Sequence, residues 1–299
     1  MYKSGFVTVI GRPNVGKSTL LNSILGQKMT ITSNKAQTTR NKISLIHSED
    51  RGQIVFIDTP GIQKPRNELG KFMLGESLSS LEGIDIVIMM VEPDEKIGKK
   101  DRNILERIRG LKGTHPLFLV INKVDSLNKD QVLPVIGRYA EEEIFDEIIP
   151  LSARTGDNVD RLLDLIYDRL EEGPKYYPED MLTDQPERFV IAELIREKGL
   201  SYLQEEVPHG LAVEINSMKE RQDKALYDID ATIYVERDSH KGIIIGKGGA
   251  MLKRIGMEAR RDIENLLGQK VNLQLWVKVS KNWRDKDERV KHFGYQAES

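Results

Sequence analysis

No cysteine occurs in the 299 residues, so disulfides and thiolate metal sites are excluded and a reducing cytoplasm is the simplest assumption. An excess of one charge is missing too. The 45 Lys and Arg against 47 Asp and Glu leave a net charge of −2, which rules out a chain that is basic throughout. Any contact with nucleic acid therefore has to come from a local patch. Long hydrophobic runs are absent: the longest, Ile86 to Val91, falls far short of the ~20 residues of a membrane-spanning helix. The start, Met1-Tyr2-Lys3-Ser4-Gly5, lacks the apolar stretch and small-residue cleavage site of a secretion signal. The expectation is a soluble protein. His47, His115, His209, His240 and His292 are scattered without paired ligand spacing, so no metal site is expected beyond one that accompanies a nucleotide.

What is present is an ordinary globular composition, 39% hydrophobic and 31% charged, at a length comfortable for two domains. Short apolar runs at 6–10, 43–47, 54–58, 86–92, 117–122 and 148–152 read as strands buried on both faces. Amphipathic stretches at 17–25, 70–81, 101–109, 129–142 and 158–170 read as the helices between them. This alternation predicts a doubly wound α/β domain over 1–172, with ligands beyond the carboxyl ends of its strands. A proline-marked linker over 173–186 and a smaller α+β domain over 187–299 follow. The second domain reads as helix (188–205), strand (211–219), strand (227–236), helix (249–267) and strand (270–279). Trp276 is expected in its core, and 281–291 as a solvated helix of mixed charge.

Gly11-Arg12-Pro13-Asn14-Val15-Gly16-Lys17-Ser18 fits G-x-x-x-x-G-K-[ST] between a strand and a helix that continues with Thr19. Such a loop curls backbone amides around phosphates, with Lys17 reaching the β- and γ-phosphates and the Ser18 hydroxyl on Mg²⁺. A bare glycine turn is the bland alternative, and the matching context disfavours it. Asp58-Thr59-Pro60-Gly61 ends a strand where Asp58 would hold the same Mg²⁺ and the Gly61 amide would meet the γ-phosphate. Taken alone this is a common turn sequence. Asn122-Lys123-Val124-Asp125 supplies a carboxylate that accepts two hydrogen bonds from guanine and none of that pattern from adenine. Ser152-Ala153 brings the Ala153 amide toward guanine O6. GTP and GDP are thus the expected ligands.

These segments together resemble the GTP-binding domain of translation-factor-related GTPases. The resemblance marks Gln37-Thr38-Thr39-Arg40 as the first switch, with Thr39 preferred over Thr38 as the Mg²⁺ contact. Ile62 stands where Ras-like switches carry a glutamine that orients water, so slow intrinsic hydrolysis is expected. Asn14 admits two readings: a K⁺ ion beside it that supplies the charge of an arginine finger, as in a potassium-activated group it resembles, or a turn residue only.

Gly246-Lys247-Gly248-Gly249 fits the G-x-x-G loop of a KH domain, which clamps a run of single-stranded nucleotides. Around it Lys241, Lys247, Lys253, Arg254, Arg260 and Arg261 face only Glu258 between 241 and 261, the local basic patch that the overall charge requires. Ile243, Ile244 and Ile245 are expected to floor a base-binding groove. The element order, with the loop before the later helix, resembles a type II KH domain.

A P-loop GTPase domain followed by a type II KH domain resembles the Era GTPase family over essentially the whole chain. Gln185-Pro186-Glu187-Arg188-Phe189 and Glu205-Glu206-Val207-Pro208-His209 add to the likeness. It implies a GTPase that binds the 3′ end of small-subunit ribosomal RNA during assembly of the small ribosomal subunit. It also implies a cytoplasmic protein with peripheral contact at the inner face of the membrane; a monomer is expected. Switch segments are expected near 36–42 and 61–69. Two readings compete with this: an RNA-binding module whose nucleotide site is only structural, and a kinase using the same loop. The intact Lys17, Ser18, Asp58 and Asp125 oppose the first, and the guanine-reading strand end opposes the second.

Overall fold

The computed structural model describes the chain except residues 36, 63, 95, 222–224 and 297–299, and the side chain of residue 129. Ala36 of the first switch, Gln63 of the second and the last three residues of the tail thus lie outside the described residues. Two compact units emerge: Met1–Thr32, Thr39–Lys64 and Met73–Asp184 form one; Ser33–Thr38, Pro65–Phe72 and Gln185–Ser299 form the other.

The first unit is built on a six-stranded sheet. Its strands are β1 (Lys3–Ile10), β2 (Ile43–Glu49), β3 (Gly52–Asp58), β4 (Ile86–Val91), β5 (Leu117–Ile121) and β6 (Glu147–Pro150), in the order β2-β3-β1-β4-β5-β6. Only the β2–β3 pairing is antiparallel. Every residue of β3, β4 and β5 is buried, which is why these strands read as continuous Val, Ile, Leu and Phe. The helices are α1 (Lys17–Leu25), α2 (Glu68–Ser79, from Met73 on), α3 (Lys99–Ile108), α4 (Lys129–Ala140) and α5 (Val159–Arg169). Strand β1 pairs with β3 on one side and β4 on the other, so the connections leave it in opposite directions. The crevice beyond its carboxyl end is the switch point where such sheets bind ligands.

The stretch expected as a linker is bonded into this unit up to Asp184. The buried Gln53 side chain accepts the amides of Tyr176 and Tyr177 at 2.9 and 3.0 Å and donates to Tyr177 O at 2.9 Å. Farther on, Ile46 N donates to Leu182 O at 2.9 Å and Thr183 Oγ1 to Ser44 O at 2.7 Å. Composition marks the segment as irregular; tertiary hydrogen bonds make it a strap.

The second unit contains α6 (Glu187–Tyr202), β7 (Ala212–Glu220), β8 (Leu226–Val235), α7 (Asp238–Ile245), α8 (Ala250–Leu267), β9 (Lys270–Val279) and α9 (Asp287–His292). Its sheet runs β7-β8-β9, antiparallel then parallel, and its core joins Ile191, Leu194 and Ile195 of α6 to Ile255, Ala259 and Ile263 of α8 over the sheet.

Three expectations fail here. Helix α7 is unexpected, because its apolar residues sit three in a row rather than at helical spacing; its register buries Ile244 completely and leaves Ile243 half exposed. Trp276 is not core: β9 turns Val271 and Val277 inward, so the alternate position leaves Trp276 56% exposed. The tail is not simply solvated. Trp283 is fully buried, donates from Nε1 to Gly210 O at 2.9 Å and stacks on Tyr295 at 5.8 Å, while Val290 is buried too. Among the described residues no helix is long and apolar enough to cross a membrane.

Candidate functional site

Strand β1 ends at Ile10, and the loop that follows takes left-handed backbone at Asn14 (φ 70°) and Gly16 (φ 105°) before α1 starts at Lys17. Gly16 is required twice over, by its angle and because a Cβ there would collide with the Asn122 amide. Lys17 is almost wholly buried, and its Nζ reaches Gly11 O at 3.4 Å. Burial pulls its pKa below the ordinary lysine value, and the Asp58 charge opposes this.

Asp58, at the end of β3, is fully buried. Ser18 Oγ donates to its Oδ2 at 2.8 Å, and Thr39 Oγ1 lies 3.5 Å from Asp58 Oδ2 and 3.1 Å from Ser18 Oγ. Thr38 is turned elsewhere, its hydroxyl donating to Lys35 O at 2.7 Å. Burial pushes the Asp58 pKa up, against the pull of Lys17 and the Ser18 hydroxyl. Its Oδ1 is buried without a hydrogen-bond partner. Two hydroxyls around a buried carboxylate with a spare oxygen are the hard-oxygen donor set that suits Mg²⁺.

The neighbouring residues divide by role. Thr59 spends its hydroxyl on Val9 O at 2.8 Å, and Pro60 O accepts from Ser77 at 2.8 Å, so both fasten the loop. Gly61 lies so close to Pro13 that a Cβ would come 2.7 Å from Pro13 N. Ile62 packs on the apolar cluster of β4 and β5, and its amide donates to Gly11 O at 3.3 Å. Arg12 turns away into an ion cluster with Glu92, Asp94 and Asp101. Thr19 follows in the first turn of α1.

Beyond β5, Asn122 Nδ2 donates to Val15 O at 2.8 Å while its Oδ1 accepts the Ala153 amide at 2.9 Å, so one side chain ties three loops together. A contact from that amide to guanine O6 would share the bond. Lys123 donates to Asn14 O at 2.9 Å. Asp125 accepts from Ser152 Oγ at 2.7 Å and from Arg154, and these partners, the serine first, hold its carboxyl below the ordinary value.

In the second unit, Gly246, Gly248 and Gly249 all have positive φ (70°, 58° and 80°), the freedom a G-x-x-G turn needs, with Lys247 exposed between them. Beside the turn is a cleft of about 360 Å³ lined by Gly249, Leu252, Lys253, Gly256, Met257, Arg260, Leu273 and Leu275. Of the expected residues, Gly249 and Lys253 line it. One is corrected: Ile244 belongs to the core. Arg254 is exposed, lays its guanidinium over the Tyr202 ring, 4.1 Å from the centroid, and is not among the lining residues. Lys241 is half-buried on α7 and is not among the lining residues. Met257, Arg260, Leu273 and Leu275 are the additions. Helical spacing from Gly249 and strand alternation at 273 and 275 are the signals that point to them.

The fold and its two sites define a P-loop GTPase joined to a KH domain. Residues 6–123 match the family model of 50S ribosome-binding GTPases, and residues 206–284 match that of the KH domain. The chain is 54% identical over 296 residues to GTPase Era of Clostridioides difficile (strain 630) and 52% over 295 residues to GTPase Era of Alkaliphilus metalliredigens (strain QYMF), covering 99% of each chain. The fold matches the crystal structure of Era in complex with MgGDPNP and nucleotides 1506–1542 of 16S ribosomal RNA, with TM-score 0.95, 41% identity and coverage of 99% of this chain and 100% of that one. An Aquifex aeolicus Era variant bound to GDP·AlF₄⁻ matches with the same values. The chain belongs to the Era GTPase family, and it is a GTPase.

Proposed function

We propose that this protein is a GTP-driven switch that holds the single-stranded 3′ end of small-subunit ribosomal RNA during assembly of the small subunit. The convergence of Lys17, Ser18, Thr39 and Asp58 on one point beyond β1 and β3 carries the nucleotide half of this reading. The glycine turn opening onto an apolar cleft with Lys253 and Arg260 at its wall carries the RNA half. The relative seen with 16S ribosomal RNA and MgGDPNP supports both.

In this reading, the loop amides and Lys17 bind the phosphates, and Ser18, Thr39 and, through water, Asp58 would hold Mg²⁺, which would neutralise phosphate charge. Asp125 reads the two guanine donors. Ile62, an aliphatic residue packed on the core, offers no group to orient the attacking water, so unaided turnover is slow. The left-handed backbone of Asn14 satisfies the turn reading; a rate in K⁺ above that in Na⁺ adds the monovalent cation to its role. The cleft stacks bases on Met257, Leu273 and Leu275 while the G-x-x-G turn lets the sugar-phosphate backbone approach. The setting is the cytoplasm, with peripheral contact at the inner membrane face.

The test is crosslinking and sequencing of RNA bound to the protein with a non-hydrolysable GTP analogue and with GDP. The reading expects reads ending at the 3′ terminus of 16S ribosomal RNA, enriched in the analogue sample. Recovery of no ribosomal RNA overturns the partner and leaves the GTPase in place.

A further inference from the structure

Residues 11–16 after β1, Glu92 after β4 and residues 122–126 after β5 follow three strands that are adjacent in the sheet. Sheet hydrogen bonds fix the strand ends but not the loops beyond them. Asn122 supplies one strut between the first and third. A second exists, and it is charged.

Glu92, the first residue after β4, accepts from Arg12 Nη2 at 2.7 Å through Oε2 and from Lys123 Nζ through Oε1. One carboxylate thereby joins the second residue of the phosphate loop to the lysine of Asn122-Lys123-Val124-Asp125. Both partners are anchored in turn. Arg12 also pairs with Asp94 and lies 3.6 Å from Asp101 Oδ2, an α3 carboxylate only 1% exposed; Lys123, in left-handed backbone (φ 64°), donates to Asn14 O at 2.9 Å. The side chains of Arg12 and Glu92 are 19% and 27% exposed, so their charge-assisted bonds are partly shielded from water.

We infer that Glu92 is a positioning residue for guanine nucleotide: by clamping Arg12 and Lys123 at once, it presets the spacing between the phosphate-binding and guanine-reading loops before the ligand arrives. In the nucleotide reading, the loops it joins hold the two ends of one ligand, and an error of spacing between them weakens both ends together. The inference rests on the nucleotide reading above.

The experiment measures release of fluorescent GDP and single-turnover GTP hydrolysis in the full-length wild type, Glu92→Gln, Arg12→Gln and the double variant. Loss of an ion pair of this exposure corresponds to about a fivefold faster release. The expected result for Glu92→Gln is that increase with kcat within about twofold. Melting curves without nucleotide should agree to about 2 °C. The double variant should speed release by less than the product of the two single effects, because both break the Arg12–Glu92 arm of the bridge. A second measurement needs no variant: raising NaCl should speed release from the wild type. Unchanged release in Glu92→Gln, multiplying effects in the double variant, or wild-type release indifferent to salt overturns the inference. Failure of the wild type to bind GDP at all overturns the nucleotide reading instead.

Discussion

Asp58 shows how burial prepares a residue for its partner. With no exposure, an unpartnered Oδ1 and a pKa pushed up by desolvation, its carboxylate is costly until a cation arrives. Acidification protonates the group above the usual aspartate range, so a proton competes with Mg²⁺ there. At the other end, burial lowers the Lys17 pKa, and rising pH removes the charge proposed for the phosphates. Mg²⁺-dependent GDP affinity should therefore pass through a maximum, falling on the acid side through Asp58 and on the alkaline side through Lys17. Titration calorimetry from acid to alkaline pH checks this, and Asp58→Asn should remove both the acid limb and the benefit of Mg²⁺. For the nucleotide-free fold the sign is opposite on the acid side: a raised carboxyl pKa is a cost above it that protonation relieves.

Among the elements, the strap at 173–184 is held from β3 by the buried Gln53. Gln53 satisfies two amides and one carbonyl of the strap from inside β3. Gln53→Leu keeps the volume and leaves three backbone groups without that partner. Each lost hydrogen bond is worth ~0.5–1.5 kcal/mol, so the variant should lose ~2 kcal/mol, read by urea unfolding, with GDP affinity unchanged in the surviving folded protein. The strap was legible as an irregular, proline-rich stretch. Its bonding was not, because its partners lie more than 120 residues away in sequence. Helix α7 is the parallel case: Ile243-Ile244-Ile245 carries no helical period, and only packing against α8 and the sheet decides that Ile244 is the one turned inward.

At the scale of the whole molecule, nucleotide binding and folding share one free energy. A ligand that binds only the native chain stabilises it by about 2.7 kcal/mol at 100 times its Kd. GDP with Mg²⁺ should raise the melting temperature, read by calorimetry, and EDTA should cancel most of the rise if Ser18, Thr39 and Asp58 hold the metal. An undiminished shift in EDTA would remove the metal from the site. The amino-acid sequence by itself determined the phosphate-loop motif, the Asn122-Lys123-Val124-Asp125 strand end, the G-x-x-G turn and the order of the larger elements. Each of these is a local pattern in which backbone freedom, charge and periodicity lie within a few consecutive residues. Only the tertiary structure decided that Trp276 faces outward and Trp283 inward, that Arg254 lies on Tyr202 rather than in the cleft, and that Glu92 spans two loops. Those outcomes depend on which distant side chain fills the neighbouring space, and short-range spacing carries no record of that.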